Sequence, residues 1–204
     1  GLRGRTVIWV HAVSVGETGA VSPLLRALRN RHPDAVLLLS HVTETGREVA
    51  LQVAEADQCI FFPFDLSWVV RRVLRRIRPS VIILMETEIW PNFVRAANLQ
   101  GVPVILVNGR ISDRSLPRYH TARKLLKPVL AGVAAFCMQT AQDARRIRLL
   151  GAVPEQIMVS GNLKFDMPEP PVASSSKAQL LHDFRLPADS LIWVAGSTHP
   201  GEET

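Results

Sequence analysis

The sequence predicts an α/β fold: a Rossmann-like, doubly wound parallel sheet with helices on both faces. Two patterns support this prediction. Short apolar runs of strand length, rich in Val, Ile and Leu and with little alternation, recur along the chain, as is typical of strands buried on both faces. The segments between these runs repeat apolar residues at spacings of three and four, which is the pattern of amphipathic helices. Alternating strands and helices favour a mostly parallel sheet.

Seven apolar runs are predicted as strands. In chain order they cover residues 7–10, 36–39, 59–62, 81–85, 103–107, 134–138 and 157–159. The clearest helical stripes lie between the first and second runs and between the third and fourth. They consist of Ala20, Val21, Leu24, Leu25 and Leu28, and of Val69, Val70, Val73, Leu74 and Ile77.

The composition is that of a folded globular protein. The 204 residues include 47% hydrophobic and 21% charged residues, which allows a sizeable core. A net charge of +6 favours an anionic partner such as nucleic acid, a membrane surface or an acidic small molecule. Cys59 and Cys137 lie far apart, so neither a disulfide framework nor a zinc-ligand spacing is present. We expect no metal site and no cofactor.

A change of composition after Asp166 indicates a domain boundary. Residues 167–176 are rich in Pro and Ser, as is typical of linkers. A helix is predicted over residues 177–185, an apolar strand over 191–195 and a turn over 196–201. We therefore expect one domain over residues 1–166, a linker over 167–176 and the truncated beginning of a second domain over 177–204.

Ligands of open α/β sheets bind at the carboxyl ends of the strands. Polar segments follow the predicted strands there, including residues 14–17, 86–88, 108–112 and 161–164. We expect these segments to meet at one edge of the sheet. Loops at this edge are often polar without a specific role, so no single segment decides the function.

Glu17 lies in a glycine turn before the first predicted helix. This position predicts an exposed, rigidly held carboxylate that could act as a general base, kept ionised by the helix dipole. An acidic residue in a first helical turn is also common without any catalytic role. The stretch itself leaves both interpretations open.

A serine hydrolase is an alternative function. Residues 12–16, AVSVG, approximate the nucleophile elbow G-x-S-x-G, with Ser14 as the nucleophile. Such an enzyme would also need an acid and a histidine further along the chain, and none of the later histidines has a clear partner. The chain has no dinucleotide fingerprint G-x-G-x-x-G and no P-loop.

A second alternative is a non-catalytic, basic module that binds a membrane surface. The arginines at positions 71, 72, 75, 76 and 78 lie beside the second apolar stripe, the one over residues 69–77. Arg118, Arg123, Lys124 and Lys127 follow later. Such clusters can meet anionic lipid head groups or nucleic acid. Interleaved aromatic residues, which favour nucleic acid, are lacking. A solvated helix face is the other interpretation.

Charged residues follow two further strands. Glu86 and Glu88 flank Thr87, and Lys164 lies two residues after Asn162. Two carboxylates could bind hydroxyl groups or stabilise a cation, and a lysine could hold a phosphate. One carboxylate could equally cap the next helix, and exposed lysines commonly have no such role.

Five motifs, taken together, resemble the bacterial 3-deoxy-D-manno-octulosonic acid (Kdo) transferase family. They are HAVSVGE, METEIWPN, VNGRIS, GNLKFD and GSTHPGEE, in this order and spacing, and they extend over essentially the whole chain. Members are inverting glycosyltransferases that move Kdo from CMP-Kdo to the lipid A precursor in lipopolysaccharide biosynthesis. The resemblance implies the N-terminal, acceptor-binding half of a GT-B fold followed by a truncated nucleotide-sugar domain. We expect this fragment alone to be inactive.

The resemblance also implies a role for each motif. Glu17 would be the catalytic base, and Glu86 and Lys164 would stabilise charge. The residues implied in acceptor binding are Ser14, Gly16, Glu88, Arg110 and Ser112, and those implied in donor binding are Ser197, Thr198, His199, Gly201 and Glu202. The implied partners are CMP-Kdo, the lipid A precursor and an anionic membrane surface, not nucleic acid. The implied location is the cytoplasmic face of the bacterial inner membrane, with monotopic attachment.

Overall fold

The fold was taken from a computed structural model of the chain. It describes residues 4–51, 53, 55–167, 174–187, 189, 191–193, 196, 198 and 201. Two compact units are present, residues 1–167 and residues 168–204. Each unit is described by itself.

The first unit contains one seven-stranded parallel sheet. Its strands are β1 (Val7–His11), β2 (Val36–His41), β3 (Gln58–Phe61), β4 (Val81–Met85), β5 (Val104–Gly109), β6 (Ala135–Met138) and β7 (Ile157–Val159). The strand order is β3-β2-β1-β4-β5-β6-β7, and all neighbours are parallel. All seven strands predicted from the apolar runs are confirmed, and no end differs by more than two residues.

Helices connect consecutive strands. They are α1 (Val15–Arg31), α2 (Glu44–Ala50), α3 (Ser67–Ile77), α4 (Pro91–Leu99), α5 (Leu116–Thr121), α6 (Arg123–Leu130) and α7 (Ala141–Leu150), and short 3-10 helices cover Pro154–Gln156 and Leu163–Asp166. Local residue choice explains several ends. Ser14 and Thr140 cap α1 and α7 through their hydroxyl groups, and Gly151 ends α7 in the left-handed conformation.

The sheet separates two hydrophobic cores, which confirms the doubly wound prediction. Alternate β1 residues point to opposite faces: Val7 and Trp9 enter one core, and Ile8 and Val10 enter the other. The first core includes buried residues of α3, α4, α6 and α7. The second includes buried residues of α1 and α2. Both predicted apolar stripes face these cores.

The strand order reverses next to β1. From β1 the chain continues to β2 and β3 on one side, whereas β4 lies on the other side and leads to β5, β6 and β7. The connections that follow β1 and β4 therefore diverge, which opens a crevice at the carboxyl edge of the sheet. Glu17 follows β1, and Glu86 and Glu88 follow β4, so topology places all three at this crevice.

The second unit differs in part from the sequence prediction. Its helix α8 (Ser174–Asp183) begins inside the segment predicted as a linker and includes most of the predicted helix. Leu191, Ile192 and Trp193 have no regular structure, so the predicted strand is wrong over these residues. Residues 168–173, 194 and 195 lie outside the described part.

Candidate active site at the carboxyl edge of the sheet

Glu17 lies in the first turn of α1 with its side chain folded back over the preceding residues. The Val13 N–H donates to Glu17 Oε2 at 2.9 Å, and the Ser14 hydroxyl donates to Glu17 Oε1 at 2.9 Å. Ser14 Oγ in turn accepts the Glu17 N–H at 3.2 Å. Only 8% of Glu17 is exposed, so the predicted exposed carboxylate is wrong, although it is rigidly held.

The hydrogen bonds explain how a carboxylate remains stable in this nearly buried place. No described basic side chain forms an ion pair with Glu17. The Val13 N–H and the Ser14 hydroxyl therefore supply the donors that stabilise its charge. Ser14 itself is exposed, so its hydroxyl lies between the carboxylate and the solvent. This arrangement extends an ordinary helix cap, because the hydroxyl both accepts from the helix and donates to the acid.

Glu86 follows β4 directly in a strained backbone conformation. Its φ of 53° lies in the left-handed region, which residues other than glycine rarely adopt. The Glu86 N–H donates to the Val107 carbonyl of β5 at 2.8 Å, which fixes the end of the strand. Such strain is often found at functional sites.

The charged residues at this edge influence one another. Burial raises the pKa of Glu86, and the negative charge of Glu17 raises it further, while Lys164 and Arg110 act in the opposite direction. Burial also raises the pKa of Glu88, with further contributions from Glu17 and Glu86. The fold thus brings the three predicted carboxylates together with two predicted cations.

Lys164 is placed by a link between β5 and the segment after β7. It lies in the 3-10 helix Leu163–Asp166, where the Asn162 side chain accepts the Lys164 N–H at 3.0 Å. Asn108, at the end of β5, accepts the Leu163 N–H through its side chain at 3.1 Å. Asn108 is buried and has a φ of 55°. It holds Lys164 near the carboxylates, a positioning role that the motif analysis missed.

Three other residues implied in acceptor binding, Arg110, Gly16 and Ser112, have different surroundings. Arg110 is exposed, its charge acts on Glu86, and its carbonyl accepts the Thr87 hydroxyl. A side chain at Gly16 would approach only Ser14 Oγ, at 4.0 Å, so packing within the chain does not require glycine there. Ser112 is different, because its hydroxyl lies 2.8 Å from Ser115 Oγ in the turn before α5. The structure shows no contact between Ser112 and the carboxylates.

The donor-binding predictions concern the second unit. Thr198 and Gly201 are described, whereas Ser197, His199 and Glu202 lie outside the described residues. These five assignments remain predictions.

Two further titratable residues at this edge of the sheet, Tyr119 and His11, were not predicted as site residues. The pKa of Tyr119 is raised by burial and by the charge of Glu88, which places the tyrosine close to that carboxylate. His11 is fully buried at the end of β1 and stacks on Phe62 with ring centroids 3.8 Å apart. Burial lowers the pKa of His11 to about 4, so its imidazole is neutral at pH 7. His11 is part of the HAVSVGE motif, whereas Tyr119 lies in none of the five motifs, so only the fold shows that it is close to Glu88.

The Ser14 environment does not match a hydrolase triad. Its hydroxyl is bonded to Glu17, and the structure shows no hydrogen bond between Ser14 and a histidine among the described residues. A nucleophilic serine requires a histidine base in that place. The contacts therefore do not support the serine hydrolase alternative.

Asp65 holds the start of α4 next to the Glu88 segment. Its carboxylate accepts the Phe93 N–H at 2.8 Å and the Asn92 N–H at 3.1 Å, two of the free donors at the helix start. We expect Asp65→Ala to lower the free energy of unfolding by about 1–2 kcal/mol, because both donors lose their partner. Urea denaturation followed by circular dichroism measures this loss. A loss below about 0.3 kcal/mol, within the range of a neutral surface substitution, would contradict the capping role.

Metal clusters and membrane-spanning helices are both absent from the described residues. No group of three or more His, Cys, Asp or Glu side chains there is arranged to hold a metal ion. Among the helices in the same part of the chain, none is long and apolar enough to cross a membrane.

The chain resembles known proteins over nearly its whole length. Residues 2–167 match the family model of 3-deoxy-D-manno-octulosonic-acid transferase (kdotransferase). The chain is 40% identical over 202 residues to a 3-deoxy-D-manno-octulosonic acid transferase of Bordetella pertussis, covering 96% of this chain and 45% of that protein. It is 36% identical over 205 residues to a bifunctional glycosyltransferase/methyltransferase of Fusobacterium nucleatum, covering 99% of this chain and 32% of that protein. It therefore spans less than half of either relative.

A solved structure supports the fold. The complex of S. aureus MnaA with UDP matches with a TM-score of 0.62 and 15% identity, covering 89% of this chain and 51% of that one. At this identity the likeness concerns the fold alone, and it agrees with the predicted Rossmann-like architecture. None of these similarities supports a serine hydrolase or a non-catalytic module.

Proposed function

Because the chain belongs to the 3-deoxy-D-manno-octulosonic-acid transferase family, we propose that the complete protein is an inverting glycosyltransferase that moves Kdo from CMP-Kdo to the lipid A precursor, lipid IVA. The observation that supports this most is the group of three carboxylates and two cations at the crevice beside β1 and β4. The same proposal includes a GT-B architecture, with this chain contributing the acceptor-binding domain.

Glu17 is the general base of this reaction. In a single displacement with inversion, the acceptor hydroxyl attacks the anomeric carbon of Kdo while the bond to the CMP phosphate breaks. The hydroxyl proton must leave during this step. A carboxylate that is rigidly held at the crevice is suited to accept it.

Ser14 connects Glu17 to the acceptor. A serine hydroxyl has one donor and two acceptor sites. In Ser14 the donor is directed to Glu17 Oε1, and one acceptor site takes the Glu17 N–H. The second acceptor site is left to bind the incoming hydroxyl. The proton then moves from the acceptor to Ser14 Oγ while the serine proton moves to Glu17, which allows a nearly buried carboxylate to act as the base.

A pair of Ser14 variants separates this role from helix capping. Thr and Asn both cap helices, but only Thr keeps a hydroxyl. We expect Ser14→Thr to stay within about threefold of the wild-type kcat, and Ser14→Asn to lose about 100-fold, the lower end of the range for assisted proton transfer. Steady-state kinetics of the complete protein measure both, with thermal unfolding as the control for folding. Equal activity of the two variants would leave Ser14 only a structural role.

Glu86 and Lys164 stabilise charge on the two sides of the breaking bond. The transition state resembles an oxocarbenium ion, which the Glu86 carboxylate stabilises. Lys164 stabilises the negative charge that develops on the departing CMP phosphate. The polar groups of the acceptor are bound by Arg110, Glu88, Ser14, Gly16 and Ser112. The donor is bound by Ser197, Thr198, His199, Gly201 and Glu202. No cofactor takes part in this scheme.

An enzyme whose acceptor is a membrane lipid works at a membrane surface. We infer a location at the cytoplasmic face of the bacterial inner membrane, where an anionic lipid surface is the further partner. The net charge of +6 is consistent with such a surface.

Mass spectrometry of the product tests the proposed function. The complete protein is incubated with CMP-Kdo and lipid IVA, and the lipid is extracted. The expected result is a lipid heavier by one or more Kdo residues. An unchanged lipid mass, with the protein folded and CMP-Kdo intact, would overturn the proposal.

A further inference from the structure

The basic residues are concentrated in one part of the chain. Residues 66–142 contain ten arginines and two lysines but only three acidic residues, Glu86, Glu88 and Asp113. Two of these acids belong to the site described above, and Asp113 pairs with Arg146. Exposed helices usually mix both signs, which adds favourable pairs along the helix. The helices in this segment lack that balance.

A groove between α3 and α4 lies in this segment. It has a volume of about 300 Å³ and is lined by Trp68, Arg71, Arg75, Ala96 and Leu99 among others. Arg95 of α4 lines an adjoining part. The groove therefore has three arginines, two from α3 and one from α4, beside an aromatic and an aliphatic side chain.

The two α3 arginines are fixed in position without acidic partners. Arg71 Nε donates to the Ser67 carbonyl at 3.0 Å, and Arg75 Nε donates to the Arg71 carbonyl at 3.2 Å. These bonds use one donor of each guanidinium and leave the terminal donors available. Arg71, Arg75 and Arg95 form no ion pair with any described carboxylate. Like charges four residues apart destabilise a helix slightly, and an anion bound between them would remove this repulsion.

The apolar side chains of the groove are exposed. Trp68 is 66% exposed and Leu99 is 73% exposed. Phe64 and Leu66, just before α3, are exposed as well. An indole ring beside cationic side chains suits the boundary between lipid head groups and acyl chains, where one end of the ring is apolar and the other is hydrated. Arginine donors match the oxygens of a phosphate.

We propose that the groove between α3 and α4 is a bilayer-docking surface, in which Arg71, Arg75 and Arg95 bind the phosphate groups of anionic phospholipids while Trp68 and Leu99 enter the acyl boundary. The proposal rests on the proposed function only for the choice of a lipid as the partner. Since α3 begins at the carboxyl edge of the sheet, docking there brings the edge with Glu17 and Glu86 toward the membrane. A lipid acceptor could then reach the site without leaving the bilayer completely.

Vesicle binding tests this surface separately from sugar transfer. The purified 204-residue chain is sedimented with vesicles of phosphatidylcholine alone or with 30% phosphatidylglycerol, at low and at physiological salt. We expect binding only to the anionic vesicles. Arg71→Glu/Arg75→Glu should weaken it at least ~10-fold, because each arginine near an anionic surface contributes measurably to binding. The matched control is Arg145→Glu/Arg148→Glu on α7, which should bind as the wild type does.

Trp68 provides a second, independent signal. In a chain with Trp193→Phe, which removes another exposed tryptophan, the emission of Trp68 should shift to shorter wavelength on binding anionic vesicles. If charge reversal prevents folding, the neutral variant Arg71→Gln/Arg75→Gln takes its place. It should weaken vesicle binding and reduce the shift of Trp68 emission. The proposal is overturned if Arg123→Glu/Lys124→Glu abolishes vesicle binding while the groove variants bind normally, or if Trp68 emission stays constant on binding.

Discussion

Glu17→Gln in the complete protein is expected to lower kcat for sugar transfer by about 10²–10⁴-fold, the usual contribution of a general base. The glutamine keeps the shape of the side chain and can still accept one hydrogen bond through its oxygen. It cannot take up the proton of the acceptor hydroxyl. The direct assay follows Kdo transfer to lipid IVA at saturating CMP-Kdo.

Glu44→Gln is the matched control for Glu17→Gln. Glu44 also lies in the first turn of a helix at the carboxyl edge of the sheet, but its side chain is exposed and, among the described residues, forms an ion pair with Arg47 alone. We expect this variant to keep its activity. Thermal unfolding shows whether Glu17→Gln remains folded, and titration with CMP-Kdo shows whether it still binds the donor. A folded Glu17→Gln protein with activity within about threefold of the wild type would mean that Glu17 is not the base, because a lost general base costs far more.

Glu86→Gln is expected to have opposite effects on activity and on stability. Removing the charge that stabilises the oxocarbenium-like transition state should lower kcat by about 10²–10³-fold, as the loss of one preorganised electrostatic contact does. The same change should make the protein more stable at pH 7. In the folded protein, burial and the neighbouring charge of Glu17 raise the pKa of Glu86, so ionisation at this position destabilises the fold.

The sign of this stability effect can be checked by changing the pH. When the folded pKa of an acid lies above the unfolded value, the protein loses stability as the pH rises from the unfolded to the folded pKa. The melting temperature of Glu86→Gln should therefore exceed that of the wild type at pH 7. The difference should shrink at a pH below about 4, where the Glu86 side chain of the wild type is mostly protonated in both the folded and the unfolded state. Glu88→Gln should show the same trend, since burial and two neighbouring carboxylates raise its pKa. A lower melting temperature of Glu86→Gln at pH 7 would show that the carboxylate stabilises the fold.

Much of the fold follows from the sequence because the pattern is repeated many times. Each buried strand is a run of apolar residues, and the two longest helices, α1 and α3, have an apolar stripe facing a core. The position of the site follows as well, since the carboxyl ends of parallel strands share one edge. The second unit is less predictable. Residues 191–193 form an apolar run, yet they adopt no strand, because an apolar run forms a strand only when a neighbouring strand pairs with it.

The details of the candidate site depend on contacts between residues far apart in sequence. A first-turn glutamate is usually exposed, whereas Glu17 is covered because its carboxylate bonds back to Val13 and Ser14. Asn108 positions the Lys164 segment across 55 residues of sequence through a bond to Leu163. The left-handed backbone of Glu86 likewise depends on the pairing of β4 with β5. No local pattern in the sequence encodes these features.

A crystal structure of the complete protein with CMP and a lipid A precursor analogue tests the central claim most directly. We expect the attacking hydroxyl of the acceptor within about 2.6–3.2 Å of Ser14 Oγ or a Glu17 carboxylate oxygen, the range for a proton that a base removes. Lys164 should face the CMP phosphate, and Glu86 should face the position of the anomeric carbon. An acceptor hydroxyl bound away from both Ser14 and Glu17, with another side chain in reach of its proton, would contradict the account.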